Sequence, residues 1–138
     1  MSRKPKAIVL DSWSVLAYLE DEPAGEKIAD IISDAYENDS ALLMTLVNAG
    51  EVWYIIARET SEKEADRSIT ELQQLGIELV EIDWKLARQA ARLKSKHKMS
   101  FADCFAAALA KEHNGELVTG DHEFTQVEGE VKIQWLKR

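Results

Sequence analysis

Hydrophobic and polar residues follow two periods along this chain, that of strands and that of helices. Short apolar runs at 6–10 (KAIVL) and 41–44 (ALLM) and the alternating segment 77–82 (IELVEI) predict the first three strands. The runs 116–119 and 131–136 predict two more. Between the strands, apolar residues recur at spacings of three and four, which predicts helices, mostly in pairs. The order β-α-α-β-α-α-β-α-α-β-β is that of an α/β sandwich with a mostly parallel sheet.

Turn and capping residues set the expected ends of the helices. Pro23 breaks the chain, so we expect the second helix to span residues 26–38. Thr45 opens the third helix, in which we expect Leu46 and Tyr54 to contact the core. The tryptophans lie mainly within apolar segments, and we expect them to serve in packing or dimer contacts in preference to stacking on bases: Trp13, Trp53, Trp84 and Trp135.

The stretch 99–121 (MSFADCFAAALAKEHNGELVTGD) predicts a helix, a short strand and an acid beyond its end. Ser100 is a good N-cap, and Asp103 lies three positions later, where the positive end of the helix dipole favours an acid. The helix is apolar around much of its girth, so we expect it deep in the domain. Gly115 ends it. Asp121 then follows the strand, and ligands of open α/β sheets bind beyond the carboxyl ends of the strands.

Two further acids are expected at the same edge. Asp11 directly follows the first strand and is either the cap of the next helix or a functional acid. Glu51 shares a helix face with Asn48 and is flanked by apolar positions, where an unpaired carboxylate is costly. The alternative for Glu51 is an ordinary glutamate on a solvated face.

Four carboxylates in one place repel each other unless divalent cations lie between them. Mg²⁺ and Mn²⁺ are the natural occupants, because these hard ions prefer oxygen ligands and commonly act on phosphates. Two such ions can activate a water molecule, orient a phosphate and stabilise the leaving oxygen.

Composition limits the class of protein to which this chain can belong. At 138 residues, with 46% hydrophobic and 30% charged residues, the chain has the size and balance of one globular domain. No apolar run approaches the ~20 residues that cross a bilayer, and the start SRKPK feeds into a strand without a signal peptide. A single cysteine, Cys104, excludes an internal disulfide framework, so we expect a cytoplasmic protein with no membrane partner.

The charges of the chain give evidence both for and against binding to nucleic acid. The chain has 17 basic and 25 acidic residues, a net charge of −8, which argues against simple binding to phosphate backbones. Bound cations would supply the missing positive charge. The most basic segment, 85–98, is either a solvated helix face or a rim that guides a polyanion, so Lys96 and Lys98 are candidate substrate contacts. His122 either contacts substrate or lies in an exposed loop.

Four segments, VLDSW, TLVNAGEVWY, SFADCFAAALA and LVTGDHEF, together resemble the PIN domain family, and in a chain of this size its VapC-type toxins of toxin–antitoxin modules. The resemblance covers nearly the whole chain and implies one PIN-like domain over residues 1–138. It implies a three-layer sandwich, with a mostly parallel central sheet of about five strands and helices on both faces.

The resemblance also implies a site and an activity. The acidic residues that it assigns to metal binding and catalysis are Asp11, Glu51, Asp103 and Asp121, and the residues in support are Asn48 and Thr119. The implied activity is Mg²⁺- or Mn²⁺-dependent endoribonuclease cleavage of RNA. The implied partners are a second copy of the chain in a homodimer and a cognate antitoxin that covers the site.

Two other classes of function fit the pattern. A phospho-acceptor signalling domain also places acids at strand ends, including Asp83 after the third strand, but it requires paired acids after the first strand, which Asp11-Ser12-Trp13 does not supply. The other class is a module of the same fold that binds a partner and cleaves nothing. Zinc and nucleotide-loop chemistry are disfavoured, because the histidines lack zinc-ligand spacing and there is no glycine-rich phosphate loop.

Overall fold

The computed structural model describes residues 5–137, and within them an entirely parallel five-stranded sheet is covered by helices on both faces. Residues 1–4, where we expect no signal peptide, and Arg138 lie outside the described residues. The strands are β1 (Ala7–Leu10), β2 (Ala41–Thr45), β3 (Ile77–Val80), β4 (Glu116–Thr119) and β5 (Lys132–Trp135). The helices are α1 (Ser12–Leu19), α2 (Pro23–Glu37), α3 (Leu46–Glu59), α4 (Glu62–Gln74), α5 (Trp84–Lys96) and α6 (Phe101–Glu112), and a 3-10 helix spans His122–Val127.

Successive strand residues point to opposite faces of the sheet, and this alternation builds the three layers. In β1, Val9 joins the apolar cluster formed with α5 and α6. Its neighbours Ile8 and Leu10 join the second cluster, formed with α1 to α4. Because both faces are covered, the central strand is apolar throughout, as expected for a parallel sheet. The predicted three-layer α/β sandwich is confirmed.

The order of the strands creates a crevice at one edge of the sheet. The order is β3-β2-β1-β4-β5. Strands β2 and β3 therefore lie on one side of the central strand β1, and β4 and β5 lie on its other side. Ligands of open α/β sheets bind where the direction of winding changes, beyond the carboxyl ends of the strands. Asp11 follows β1 and Asp121 follows β4, so both acids lie at this crevice.

Helix α6 is buried along almost its whole length, as predicted. Every residue from Asp103 to Ala110 is buried, and the run of alanines lets the helix approach the sheet and α5 closely. The hydroxyl of Ser100 accepts a hydrogen bond from the backbone N–H of Asp103 at 3.1 Å, which caps the helix. Its two end residues are exposed, Phe101 with 47% of its surface and Glu112.

Helix α2 begins at Pro23, not at the predicted Glu26. Proline favours the first helical position, where its missing N–H would have no partner. Gly25 then fits against α1, because a Cβ at this position would lie 2.7 Å from the carbonyl oxygen of Ala17. The break predicted at Pro23 is therefore the start of the helix.

Three residues predicted to pack are exposed. Leu46 and Tyr54 are each 43% exposed and Trp84 is 74% exposed. Val52 and Ile56 of α3 are buried, and Tyr54 lies midway between them in sequence, which turns it to the opposite face of the helix.

Among residues 5–137 no helix is both long and apolar enough to span a membrane.

Replacement of Leu109 by alanine tests the buried position of α6. Leu109 is fully buried, so Leu109→Ala should lower the free energy of unfolding by about 2–5 kcal/mol, through lost burial and the cavity left behind. Leu46→Ala is the matched control and should change it by less than about 1 kcal/mol. Urea denaturation measures both, and equal effects of the two substitutions would contradict the assigned burial.

Candidate metal centre

An open cavity of about 420 Å³ lies at the crevice where β1 and β4 end. Three of the predicted acids line it, namely Glu51, Asp103 and Asp121, and a further acid, Glu123, joins them. The other residues of the wall are Ser12, Trp13, Leu16, Ile55 and Ser100. Among the described residues that line this cavity there are four acids and no base.

Asp103, Asp121 and Glu123 form the tightest group of acids. Each offers a carboxylate oxygen, and these oxygens lie within 4.8 Å of one another. Oxygen ligands in such a cluster suit a hard divalent cation such as Mg²⁺ or Mn²⁺. The donor set of this chain therefore fits the metal that the sequence led us to expect.

Glu123 was not predicted from the sequence. The carboxylate of Asp121 accepts a hydrogen bond from the backbone N–H of Glu123 at 3.0 Å, and this turn opens the 3-10 helix. The turn brings the second acid back beside the first. The available signal was the spacing Asp-x-Glu directly after the Gly120 turn, in which aspartate commonly binds the N–H two residues later.

Asp11 lies behind the cavity and is 1% exposed. It caps α1, because one carboxylate oxygen accepts the N–H of Ser14 at 2.9 Å. The other oxygen accepts the hydroxyl of Thr119 at 2.5 Å. That same hydroxyl oxygen accepts the N–H of Asp121 at 3.0 Å, so one threonine links two of the acids. Asp11 therefore both caps α1 and lies beside the acids of the site.

Glu51 faces the same cavity from α3. Its side chain is half-buried and accepts a hydrogen bond from the hydroxyl of Ser12. Ser12 directly follows Asp11, so this bond ties the start of α1 to α3. Glu51 does not belong to the tight group of three carboxylates, but it is not on an open solvated face either.

Asn48 is buried and connects two helices near the acids. Its side-chain amide donates to the carbonyl of Ala102 at 3.1 Å, next to Asp103 in the first turn of α6. Thr45 donates its hydroxyl to the Asn48 side-chain oxygen at 2.5 Å and thereby orients the amide. Asn48 and Thr119 therefore contact the segments that carry the acids.

The loop before α6 is tied to the turn after β4. The Gln126 side chain accepts the N–H of Lys98 at 2.9 Å and donates to the Lys98 carbonyl at 3.0 Å. This pair connects the segment of Asp121 and Glu123 to the segment of Ser100. The side chain of Lys98 itself, like that of Lys96, is exposed and does not line the acidic cavity.

The remaining candidates lie at the margin of the site. His122 is exposed, and its ring stacks on Trp135 at 5.8 Å between ring centroids. Asp83 is exposed, caps α5 by accepting the N–H of Leu86 at 2.9 Å, and does not line the acidic cavity. Cys104 is fully buried, as predicted for a core residue.

Burial and neighbouring charge raise the pKa of two of these acids, Asp103 and Asp11. Burial, and to a smaller extent the charge of Asp121, raises the pKa of Asp103 to about 7. Burial also raises the pKa of Asp11 to about 6, although the hydrogen bonds from Thr119 and Ser14 act in the opposite direction. A divalent cation would remove this penalty by neutralising the cluster.

Residues 8–130 match the model of the PIN domain family. The fold is similar to VapBC2 from Rickettsia felis bound to a DNA fragment from their promoter, at 12% identity and a TM-score of 0.74, over 95% of this chain and 99% of that chain. It is also similar to VapBC-1 from nontypeable Haemophilus influenzae, at 15% identity and a TM-score of 0.71, over 94% and 97% of the two chains.

A third similar structure is VapC20 from Mycobacterium tuberculosis, described as a sarcin-ricin loop cleaving toxin. Its identity to this chain is 16% and its TM-score 0.68, over 92% of this chain and 98% of that chain. At these identities the similarity concerns the fold. No curated protein matches the chain in sequence.

Replacement of Asp103 by asparagine tests the repulsion at the site. The raised pKa means that folded Asp103 holds a proton between about pH 4 and 7 that the unfolded chain releases, so the wild type loses stability as pH rises through this window. In EDTA, Asp103→Asn should therefore be more stable than the wild type at pH 8, on the order of 2 kcal/mol. The advantage should shrink towards pH 4.

Thermal unfolding at pH 5 and pH 8 measures this difference. Asp30→Asn is the matched control, because Asp30 is an exposed aspartate of α2. A stability advantage of Asp103→Asn that does not change with pH would contradict the assigned repulsion.

Proposed function

Because the chain belongs to the PIN domain family, we propose that it is a Mg²⁺- or Mn²⁺-dependent endoribonuclease that hydrolyses RNA phosphodiester bonds. We further propose that it is the toxin of a type II toxin–antitoxin system. The observation that carries the first proposal is the cluster of Asp103, Asp121 and Glu123, whose carboxylate oxygens lie within 4.8 Å of one another in an open cavity.

The acids act in this proposal as the metal-binding and catalytic set. Asp103, Asp121 and Glu123 would hold the metal, with Glu51 in the same cavity and the buried Asp11 bonded to Thr119 behind it. A bound divalent cation supplies a water of lowered pKa and a Lewis acid for the phosphate oxygens. This chemistry needs ligands that do not move, and the groups that form hydrogen bonds with the ligands and their backbone hold them in place.

Thr119 and Asn48 are the supporting residues. Thr119 fixes one oxygen of Asp11 and the backbone of Asp121 through a single hydroxyl. Asn48 holds the carbonyl of Ala102, the neighbour of Asp103. Both residues are fully buried, so their hydrogen bonds are shielded from water and can hold the carboxylates in fixed positions.

The proposal of a toxin with partners has separate support. The structural neighbours include members of the VapBC family of toxin–antitoxin systems and a toxin that cleaves the sarcin-ricin loop. We propose a cognate antitoxin that covers the acidic cavity, and a homodimer. Exposed apolar residues such as Tyr54 and Trp84 are the kind of surface that a second copy would cover. A cytoplasmic location agrees with a single, buried cysteine.

The two alternatives have less support. A phospho-acceptor domain would need Asp83 inside a shared acidic pocket, whereas Asp83 is exposed and outside the cavity. A module that binds but does not cleave would have no use for a buried carboxyl such as Asp103, whose charged form is disfavoured, beside two further acids. Stable phosphorylation of Asp83 by a small phosphodonor, or a protein that does not respond to metal, would favour these alternatives.

Loss of a metal ligand should abolish cleavage. Asp103→Asn should lower Mn²⁺-dependent RNA cleavage by more than about 100-fold, and Asp11→Asn, which changes a residue behind the metal ligands, by about 10- to 100-fold. Gel analysis of transfer RNA and messenger RNA, with an EDTA control, measures this. Asp30→Asn should cleave like the wild type, and undiminished cleavage by both site variants would reject the proposal.

Metal should stabilise the folded protein. An ion that binds only the native state at about 100 times its dissociation constant adds roughly 2.7 kcal/mol to the free energy of unfolding. We therefore expect millimolar Mn²⁺ to raise the melting temperature of the wild type and to raise that of Asp103→Asn by much less. A wild-type melting curve that does not respond to Mg²⁺ or Mn²⁺ would argue for the module that binds without cleaving.

A further inference from the structure

Trp13 lies where the first turn of α1 meets the turn that follows β4. It is two residues beyond Asp11, is half-buried and packs against the apolar cluster formed with α1 to α4. It also forms part of the wall of the acidic cavity. The sequence predicts packing or a dimer contact for this residue, and neither explains its place beside the acids.

Gly120 is the residue of the turn that the ring of Trp13 contacts. A Cβ at Gly120 would lie 2.6 Å from the Cζ2 and Cζ3 atoms of Trp13, well inside the distance at which atoms normally touch. The φ angle of Gly120 is outside the left-handed region, so the backbone conformation itself would accept an alanine. The ring, and not the shape of the turn, is therefore what requires glycine at this position.

The contact is one of two links between the start of α1 and the end of β4. The other is the hydroxyl of Thr119, which donates to Asp11 at 2.5 Å and whose oxygen accepts the N–H of Asp121 at 3.0 Å. Gly120 lies between Thr119 and Asp121 in the chain. The position of Asp121 therefore depends on a hydrogen bond from one side and on the ring of Trp13 from the other.

A glycine directly before a candidate metal ligand needs such a contact. Glycine has more backbone freedom than any other residue, and movement at Gly120 would change the distance from Asp121 to Asp103 and Glu123. The carboxylate oxygens of these three acids lie within 4.8 Å of one another. An indole is rigid and has only two side-chain torsions, so its contact restricts the backbone at little cost in entropy.

We propose that Trp13 is a positioning residue for the metal centre, an inference that rests on the metal-dependent function proposed above. Its indole fixes the backbone of Gly120 and so holds the carboxylate of Asp121 in place relative to Asp103 and Glu123. Trp13 acts through Asp121 and is not a ligand, because an indole offers no oxygen donor. Mg²⁺ demands near-ideal octahedral geometry, whereas Ca²⁺ accepts flexible arrangements of ligands. Loss of the ring should therefore weaken the binding of Mg²⁺ more than that of Ca²⁺.

Binding of Mn²⁺ tests the proposal without cleavage. Electron paramagnetic resonance measures the free ion, and competition with Mn²⁺ gives the affinities for Mg²⁺ and Ca²⁺. Trp13→Ala should weaken Mn²⁺ and Mg²⁺ binding about tenfold, the lower end of the effect of groups behind metal ligands, and Ca²⁺ binding by less than about threefold. Unchanged Mn²⁺ affinity, or equal losses for Mg²⁺ and Ca²⁺, would overturn the positioning role.

A double-mutant cycle tests the contact itself. Gly120→Ala puts a methyl group where the ring of Trp13 lies, so it should also weaken Mn²⁺ binding about tenfold. In the Trp13→Ala background the methyl group meets no ring, and the same substitution should change the affinity by less than about twofold. Equal losses in the two backgrounds would mean that the ring is not the reason for the glycine, and the proposal would fail.

Two matched controls separate this contact from lost packing and from an added methyl group. Trp53 is another half-buried tryptophan packed against the same apolar cluster, and it does not line the acidic cavity. A Cβ at Gly129 meets no atom within 4 Å. Trp53→Ala and Gly129→Ala should therefore bind Mn²⁺ within about twofold of the wild type. A loss in Trp53→Ala as large as that in Trp13→Ala would contradict a specific role for Trp13.

Trp13→Phe guards against a fold lost in the alanine variant. The phenyl ring keeps an aromatic side chain in the core but is shorter than the indole, so it contacts Gly120 less closely. Its Mn²⁺ affinity should fall about threefold, and Gly120→Ala should then cost less than the tenfold expected beside the indole. A cost that stays at about tenfold in this background would overturn the role of the ring.

Cleavage of RNA by the wild type with Mn²⁺ reports on the proposed function separately. If the wild type cleaves RNA but its Mn²⁺ affinity does not depend on Trp13, the positioning role fails and the nuclease proposal stands. If the wild type binds Mn²⁺ in a manner that depends on Trp13 but does not cleave, the nuclease proposal fails and the positioning role stands.

Discussion

The fold brings several carboxylates close together at one edge of the sheet, although their negative charges repel each other. Asp103, Asp121 and Glu123 meet where the winding of the sheet changes direction, and Asp11 lies directly behind them. Burial and neighbouring charge raise the pKa of Asp103 to about 7, which means that the folded protein disfavours the charged carboxylate. A protein gains nothing in stability from such a cluster alone, so its presence points to a cation and to chemistry.

Small residues make the convergence possible. The alanines of α6 let the helix that carries Asp103 lie deep against the sheet. Gly115 lets the chain enter β4 against β1, because a Cβ there would lie 2.6 Å from the carbonyl oxygen of Ala7. Gly120, at the other end of β4, leaves room for the ring of Trp13, which a Cβ at this position would contact. Close approach of backbones thus sets the distances between acids from separate parts of the chain.

An acidic protein that acts on RNA needs attraction from a source other than its net charge of −8. In our proposal a bound cation provides that attraction at the acids. Lys96 and Lys98, the cations that the sequence brought forward, are exposed and lie outside the acidic cavity.

Local sequence chemistry determined the elements of this protein. An N-cap bond joins residues three positions apart, so Asp11 and Ser100 were readable as caps, and both accept the expected bond. Apolar runs and turns likewise predicted five strands and the buried helix α6. Errors were local too: Pro23 starts α2 instead of interrupting the chain, and Tyr54 faces outward, on the side of α3 opposite the buried Val52 and Ile56.

Only the tertiary structure decided what those elements bring together. The acid Glu123 joins the cluster through a turn at Asp121, and Trp135 lies beside Thr119 because β5 pairs with β4 in one particular register. Strand order and register follow from the packing of both sheet faces at once, a property of the whole core that no short stretch of sequence carries. The sequence therefore determined which groups were available, and packing decided which of them meet.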